Sequence, residues 1–257
     1  MEYFVVCCVP VSPMRAEPAH QSEMVSQLLF GESGVVRDET KDFLKIAGVH
    51  DGYEGWCQRY QVAIAENYEY DPNQSIFVGD WSDKVSINGI TAIVPMGTPV
   101  ITPAHTDITI GPYRISYLVS SPWNAGTAQP TAEAITARAM RLLNTPYLWG
   151  GRTVFGIDCS GFAQLVFRFF NKPIYRDARQ QVTQGEPVGL LQEARCGDLA
   201  FFDNEEGEIT HVGILLNNQE IIHAAGKVRI DKIDNAGIIN TDTQQRTHKL
   251  RIIKRYF

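Results

Sequence analysis

The chain has no Cys-x-x-Cys pair, and its five cysteines, at 7, 8, 57, 159 and 196, are odd in number. That usage argues against a closed disulfide framework and against a four-cysteine zinc site. Basic runs are also missing. Lys and Arg number 23 against 29 Asp and Glu, a net charge of −6, so no nucleic-acid partner is expected. Long apolar runs are missing as well. The first, residues 3–11, is nine residues long, whereas a helix crossing a bilayer needs about 20. A secretory leader would begin with basic residues, and this chain begins Met1-Glu2. We therefore expect a soluble, cytoplasmic monomer with no membrane partner, or a periplasmic or secreted one if a leader has been trimmed.

What is present has two characters. In the first half, β-branched or aromatic runs recur at residues 4–9, 75–78, 85–87, 91–94, 100–102, 108–110 and 114–119. Turn signals separate them: Asp51-Gly52, Asn88-Gly89, Met96-Gly97 and Gly111-Pro112. Many short strands with such turns predict small barrels or sandwiches. Residues 120–130 have linker composition. A helix follows, with Thr131 as N-cap, Glu133 in the first turn, and Ile135, Ala139, Leu142 and Leu143 on one face. A second helix carries Phe162, Leu165, Val166, Phe169 and Phe170 at helical spacing. Strands return at 198–203, 211–216, 220–224, 227–230 and 250–256, which makes the second half α+β.

One cysteine sits where chemistry is favoured. Cys159 stands at the start of the second helix, with Asp158 or Ser160 able to cap it. There the unpaired N–H groups and the positive helix end favour a thiolate. The bland alternative is a buried cysteine acting as a small hydrophobe. His211 and His223 lie on two consecutive strands. A three-residue turn at 217–219 would pair 216 with 220 and 213 with 223, placing both imidazoles on one face within reach. A two-residue turn would put them on opposite faces. Gly213 leaves space beside them. The predicted roles are Cys159 as nucleophile, His211 as base and then acid, and His223 as the group that fixes His211. A zinc site built from Cys159, His211 and His223 is the rival reading, but it lacks a fourth ligand. We expect no metal and no cofactor. His20, His50, His105 and His248 show no constellation and are expected in solvent. Cys7, Cys8, Cys57 and Cys196 are expected to be structural.

The motifs Pro146-Tyr147-Leu148-Trp149-Gly150-Gly151, Asp158-Cys159-Ser160-Gly161-Phe162, Arg176-Asp177-Ala178, Gly197-Asp198-Leu199-Ala200-Phe201-Phe202, His211-Val212-Gly213-Ile214 and Ile222-His223-Ala224 occur in this order. With them the chain resembles the NlpC-type bacterial cell-wall cysteine peptidases. The resemblance implies an α+β, papain-like catalytic domain at residues 123–257. It also implies a triad of Cys159, His211 and His223. The earlier segments Gln27-Leu28-Leu29-Phe30-Gly31-Glu32 and Asp51-Gly52-Tyr53-Glu54-Gly55-Trp56 are similar to all-β bacterial SH3-like barrels, assigned to residues 1–66 and 67–122.

Peptidases with such barrels form a subgroup, the γ-D-glutamyl-L-diamino-acid endopeptidases. These cut the γ-D-glutamyl–diamino-acid bond of murein peptides with a free N-terminal L-Ala. The resemblance implies a murein peptide (L-Ala-γ-D-Glu-diamino acid) as substrate, in cell-wall peptide recycling or degradation. Glu32, Tyr53 and Asp158 would hold the L-Ala ammonium, Tyr147 and Trp149 would line the site, and Ser160 would hydrogen-bond the substrate. Ala178 departs from the serine expected at that position. The competing reading is a papain-like amidase or acyltransferase acting on another amide or ester. Among the bland readings, Trp56 is a barrel core residue and Asp198 anchors a turn.

Overall fold

Glycine turns and short β-branched segments make strands the dominant elements among the described residues of the first half, with one 3-10 turn at Arg59–Gln61. The computed structural model describes residues 3–65, 74–103 and 106–257. Contacts divide the chain into two units, Met1–Thr127 with Trp149–Val154, and Ala128–Leu148 with Phe155–Phe257.

In the first unit, β1 (Phe4–Cys7), β2 (Val11–Arg15), β3 (Met24–Leu29), β4 (Ser33–Glu39), β5 (Phe43–Gly48), β6 (Glu54–Gln58) and β7 (Val62–Ile64) form one sheet. Its order is β3-β2-β6-β5-β4-β1-β7. Then β8 (Ile76–Val78) pairs with β13 (Pro122–Asn124), while β9 (Ser82–Ile87), β10 (Ile90–Pro95), β11 (Asp107–Ile110) and β12 (Tyr113–Tyr117) make a four-stranded sheet in the order β10-β9-β12-β11. A two-residue strand, β14 (Arg152–Thr153), also belongs to this unit.

One hydrophobic cluster draws on both sheets, joining Val6, Phe30 and Ala63 to Val85, Ile115 and Tyr117. The Phe30 and Tyr117 rings meet edge-on at 5.9 Å. Gly31 makes this possible. It has a φ of +77°, and a Cβ there would come within 2.7 Å of the Tyr117 hydroxyl. The expected strand at 100–102 does not form. Val100 is buried in the shared cluster instead, so its hydrophobicity reports core contact and not pairing.

The second unit opens with α1 (Ala132–Met140), where the Thr131 side chain accepts from the Ala134 N–H at 3.2 Å as an N-cap. After β15 (Gly156–Ile157) comes α2 (Cys159–Arg168), then a single turn, α3 (Ala178–Gln181). Every residue of α2 from Cys159 to Phe167 is buried, and the helix lies on the sheet strands β18 (Ile209–Leu215) and β19 (Glu220–Ala225). The other strands are β16 (Glu186–Val188), β17 (Leu199–Asp203), β20 (Lys227–Asp234), β21 (Gly237–Ile239) and β22 (Arg246–Arg255). The sheet runs β16-β22-β17-β18-β19-β20-β21, and β22 also pairs with β21, which closes six strands into a barrel. Closure removes the open edges of those strands.

The segment before β15 is tied to this barrel by its backbone. Asn144 N–H donates to the Val228 carbonyl (2.9 Å), Val228 N–H to Thr145 (2.8 Å), and Tyr147 N–H to Gly226 (2.9 Å). The architecture is therefore mixed α+β: all-β, SH3-like sheets first, then helices on a barrel.

Candidate active site

Asp158 sets the start of α2. It adopts an extended backbone, and its Oδ1 accepts from the Gly161 N–H at 2.7 Å, so Cys159 is the first helical residue. The same carboxylate is gripped by Arg176, whose Nη1 donates to Oδ1 at 3.0 Å and Nη2 to Oδ2 at 2.5 Å. Arg176 Nη1 also donates to Ser160 Oγ at 2.9 Å, and Ser160 Oγ lies 3.2 Å from Asp158 Oδ1. Arg176 is only 1% exposed, so this ion pair is fully interior and fixes both neighbours of Cys159.

The two histidines come together as the odd-length turn requires. Ile214 pairs with Ile222 and Leu215 with Ile221, a register that puts Gly213 opposite His223. His211 Nε2 then lies 2.8 Å from His223 Nδ1. Gly213 is what lets the strands carry this pair, since a Cβ there would sit 2.8 Å from the His223 Cβ and 2.7 Å from Ile221 Cδ1. The backbone N–H of Val212, the residue after His211, is near enough to the Cys159 sulfur to favour its ionised form. Both imidazoles and the thiol are buried.

Burial dominates the protonation of the site. It pushes the Cys159 thiol up to about 12, with Asp158 adding to the rise, while the Val212 N–H, Arg176 and the Ser160 N–H pull it down. Burial also holds His211 well below the usual imidazole range, with His223 and His248 adding to the shift. Both shifts favour the uncharged form of each group. The Ser160 N–H at the start of the helix does lower the thiol, against the larger rise from burial. Because Nε2 of His211 faces His223, Nδ1 is the ring nitrogen on the far side of His211 from that contact.

Three residues that sequence reasoning passed over belong to this cluster. Arg176 orders Asp158 and Ser160, as above. His248 was expected in solvent, yet its ring stacks on that of His211 with centroids 4.2 Å apart. Asp231 lies one residue past the strand expected at 227–230, and its Oδ2 is 3.0 Å from His223 Nε2. The available signal was the alternation Arg229-Ile230-Asp231, which places both polar residues on the His223 face once the strand is extended. The nitrogens of His211 and His223 point at each other and do not converge on a third point. Among the described residues, no group of three His, Cys, Asp or Glu side chains is arranged to hold a metal.

The remaining predicted residues are placed as follows. Tyr147 is half-buried and close enough to Cys159 and Asp158 for their charge to raise its phenol, after burial itself. In the first unit, Glu32 is 4% exposed, and its Oε2 accepts from the Leu29 N–H and from Arg152 Nη1, both at 2.9 Å. Arg152 Nη2 reaches Glu32 Oε1 at 3.2 Å and lies 2.9 Å from His50 Nε2. His50, also expected in solvent, is thus inside a charged cluster, where Asp51 Oδ2 stands 3.1 Å from it. Asp51 Oδ1 accepts from the N–H of Tyr53, which is half-buried. Trp149 is 60% exposed and its indole N–H donates to Glu23 at 2.5 Å. Trp56 is buried as a packing aromatic. Asp198 anchors a turn, accepting from the Arg195 N–H and from Arg255. His20 is exposed and packs edge-on against Phe43, and His105 lies outside the described residues.

A cysteine opening a buried helix that packs on the two strands carrying a pair of hydrogen-bonded imidazoles, on a closed barrel, is the arrangement expected of a papain-like cysteine peptidase. Residues 144–247 match the NlpC/P60 family and residues 14–61 match the bacterial dipeptidyl-peptidase SH3 domain. The chain thus carries an NlpC/P60 domain, preceded by an SH3 domain of the bacterial dipeptidyl-peptidase type. It is 28% identical over 222 residues to gamma-D-glutamyl-L-lysine dipeptidyl-peptidase of Bacillus subtilis (strain 168), spanning 77% of this chain and 71% of that protein. Dipeptidyl-peptidase 6 of Lysinibacillus sphaericus is 27% identical over 247 residues, spanning 85% of this chain and 88% of that one. The crystal structure of an NlpC/P60 family protein from Bacillus cereus ATCC 10987 shares the fold, with a TM-score of 0.81 at 19% identity, covering 98% of this chain and 99% of that one.

Proposed function

We propose that this peptidase hydrolyses the γ-D-glutamyl–diamino-acid bond of murein peptides that carry a free N-terminal L-Ala. The observation that carries the proposal is the pairing of a Cys159–His211–His223 site with an SH3 domain of the dipeptidyl-peptidase type. Relatives named as dipeptidyl-peptidases align across both parts of the chain, which supports the same reading. In this reading Cys159 attacks the γ-carbonyl of D-Glu, the diamino acid departs with the proton from His211, and water releases L-Ala-D-Glu from the thioester. Glu32, Tyr53 and Asp158 hold the ammonium, Tyr147 and Trp149 line the peptide, and Ser160 hydrogen-bonds it. Cell-wall peptide recycling in the cytoplasm would supply such peptides.

The test is mass spectrometry of products from L-Ala-γ-D-Glu-meso-diaminopimelate and from its L-Lys counterpart. Release of L-Ala-D-Glu by the wild type and none by Cys159→Ala is the expected result. Acetylating the L-Ala amine should suppress cleavage. Equal cleavage of the acetylated peptide would remove the ammonium-holding role, and no dipeptide from any free-amine peptide would overturn the proposal.

A further inference from the structure

We infer that Asp231 is a positioning residue of the catalytic relay, setting which ring nitrogen carries the proton in both His223 and His211. The strands bring it there. Ile221 pairs with Asp231 and His223 with Arg229, so His223, Arg229 and Asp231 share one face, with Asp231 diagonal to His223. The carboxylate is 1% exposed and is an acceptor on all sides. The Thr241 N–H and Arg229 Nη2 each donate to Oδ1 at 2.8 Å, and Arg229 Nε lies 2.8 Å from Oδ2. Those donors hold Asp231 ionised against the pull of burial, far below the usual carboxylate range.

An ionised carboxylate can only accept. The group it faces, His223 Nε2 at 3.0 Å, must therefore carry hydrogen. With its single hydrogen on Nε2, the His223 ring has its lone pair on Nδ1, where it accepts from His211 Nε2–H at 2.8 Å. His211 is left with its lone pair on Nδ1, the nitrogen that takes the thiol proton. One buried carboxylate thus fixes two tautomers in series. When His211 becomes an imidazolium, the relay offers it an acceptor backed by a negative charge. Arg229 leaves that charge in place, because its other partner is Asp242 at 2.9 Å.

The test uses Asp231→Asn, which keeps the shape. The amide must turn its NH2 toward one donor set. Facing His223, it makes Nε2 an acceptor and reverses the relay, leaving hydrogen on His211 Nδ1. The expected result is a fall in kcat of about 10²- to 10⁴-fold with KM changed less than about threefold, the size seen when a triad carboxylate is neutralised elsewhere. Long-range ¹H–¹⁵N spectra of the histidine rings supply the readout that a merely structural role would not move. Wild-type His223 should be the Nε2–H form, and Asp231→Asn should convert it to the Nδ1–H form. The wild-type spectrum alone decides the matter if the variant does not fold. Hydrogen on Nδ1 of wild-type His223, an unchanged kcat in the variant, or a kcat loss without tautomer change would each overturn the inference.

Discussion

The imidazole of His248 lies flat against that of His211, with ring centroids 4.2 Å apart and planes 25° apart. The two rings come from β22 and β18, and the stack buries one face of each. Burial, with His223 nearby, lowers His248 from 6.5 to about 4, and His211 is lowered as well. Both rings are neutral when folded, while the unfolded chain takes up their protons near pH 6.5. Stability is therefore fully present above about pH 6.5 and is lost as pH falls toward about 4. Thermal melts at pH 7.5, 6 and 5 should show a midpoint dropping by several degrees over this span. His248→Gln should shrink the drop. A flat profile in the wild type would contradict the burial argument.

Gly213→Ala is expected to damage the site from behind. The new methyl would meet the His223 Cβ at 2.8 Å and Ile221 Cδ1 at 2.7 Å, and neither strand can back away within a closed barrel. We expect a loss of about 1–3 kcal/mol in urea unfolding, together with a clear fall in kcat. A change in stability without a change in kcat would show that His223 tolerates the displacement.

Arg176→Gln should be far more costly than a surface substitution. It leaves the Asp158 carboxylate interior without its guanidinium, a change of about 3–5 kcal/mol. That carboxylate caps the helix that Cys159 opens, so activity and stability should fall together. Replacing both partners, as Asp158→Asn with Arg176→Gln, should recover part of the stability and none of the rate. Additive losses in the double variant would mean the pair is not coupled.

In the first unit, Glu32 and Arg152 make a second interior pair, each about 5% exposed or less. Arg152→Gln should cost about 3–5 kcal/mol because it strands the Glu32 carboxylate, and Glu32→Gln in the same background should recover much of it. The measurement is a chemical denaturation series with all four members of the cycle. The same series run on an L-Ala peptide separates Glu32's structural load from its proposed part in binding the ammonium. A rise in KM that persists in the stabilised double variant belongs to binding.

Periodicity made the second half legible. The buried faces of α1 and α2 and the Thr131 cap were present in residue spacing, because helix caps are local, while the choice between a two- and a three-residue turn before His223 came only with the strand register. The first sheet was nearly silent. Strands such as Val11–Arg15 and Ser33–Glu39 mix Ser, Pro, Arg and Asp with few apolar residues, and tertiary pairing rather than propensity makes them strands. The partners of the site were also hidden. Arg176 reaches Asp158 across eighteen residues, and His248 meets His211 only because β22 returns to close the barrel. Such contacts depend on closure, which leaves no periodic trace in the chain.

The backbone bonds from Asn144, Thr145 and Tyr147 to the start of β20 mean that Tyr147 is mounted on the same hairpin as His223 and Asp231. Selecting variants for a new peptide preference at this position would therefore act through side-chain size at a fixed point. The loop is not free to be remodelled, since any change that moved its path would carry the imidazoles with it. If Tyr147 lines the peptide as proposed, substrate choice and the placement of the imidazoles are inherited together at this one position.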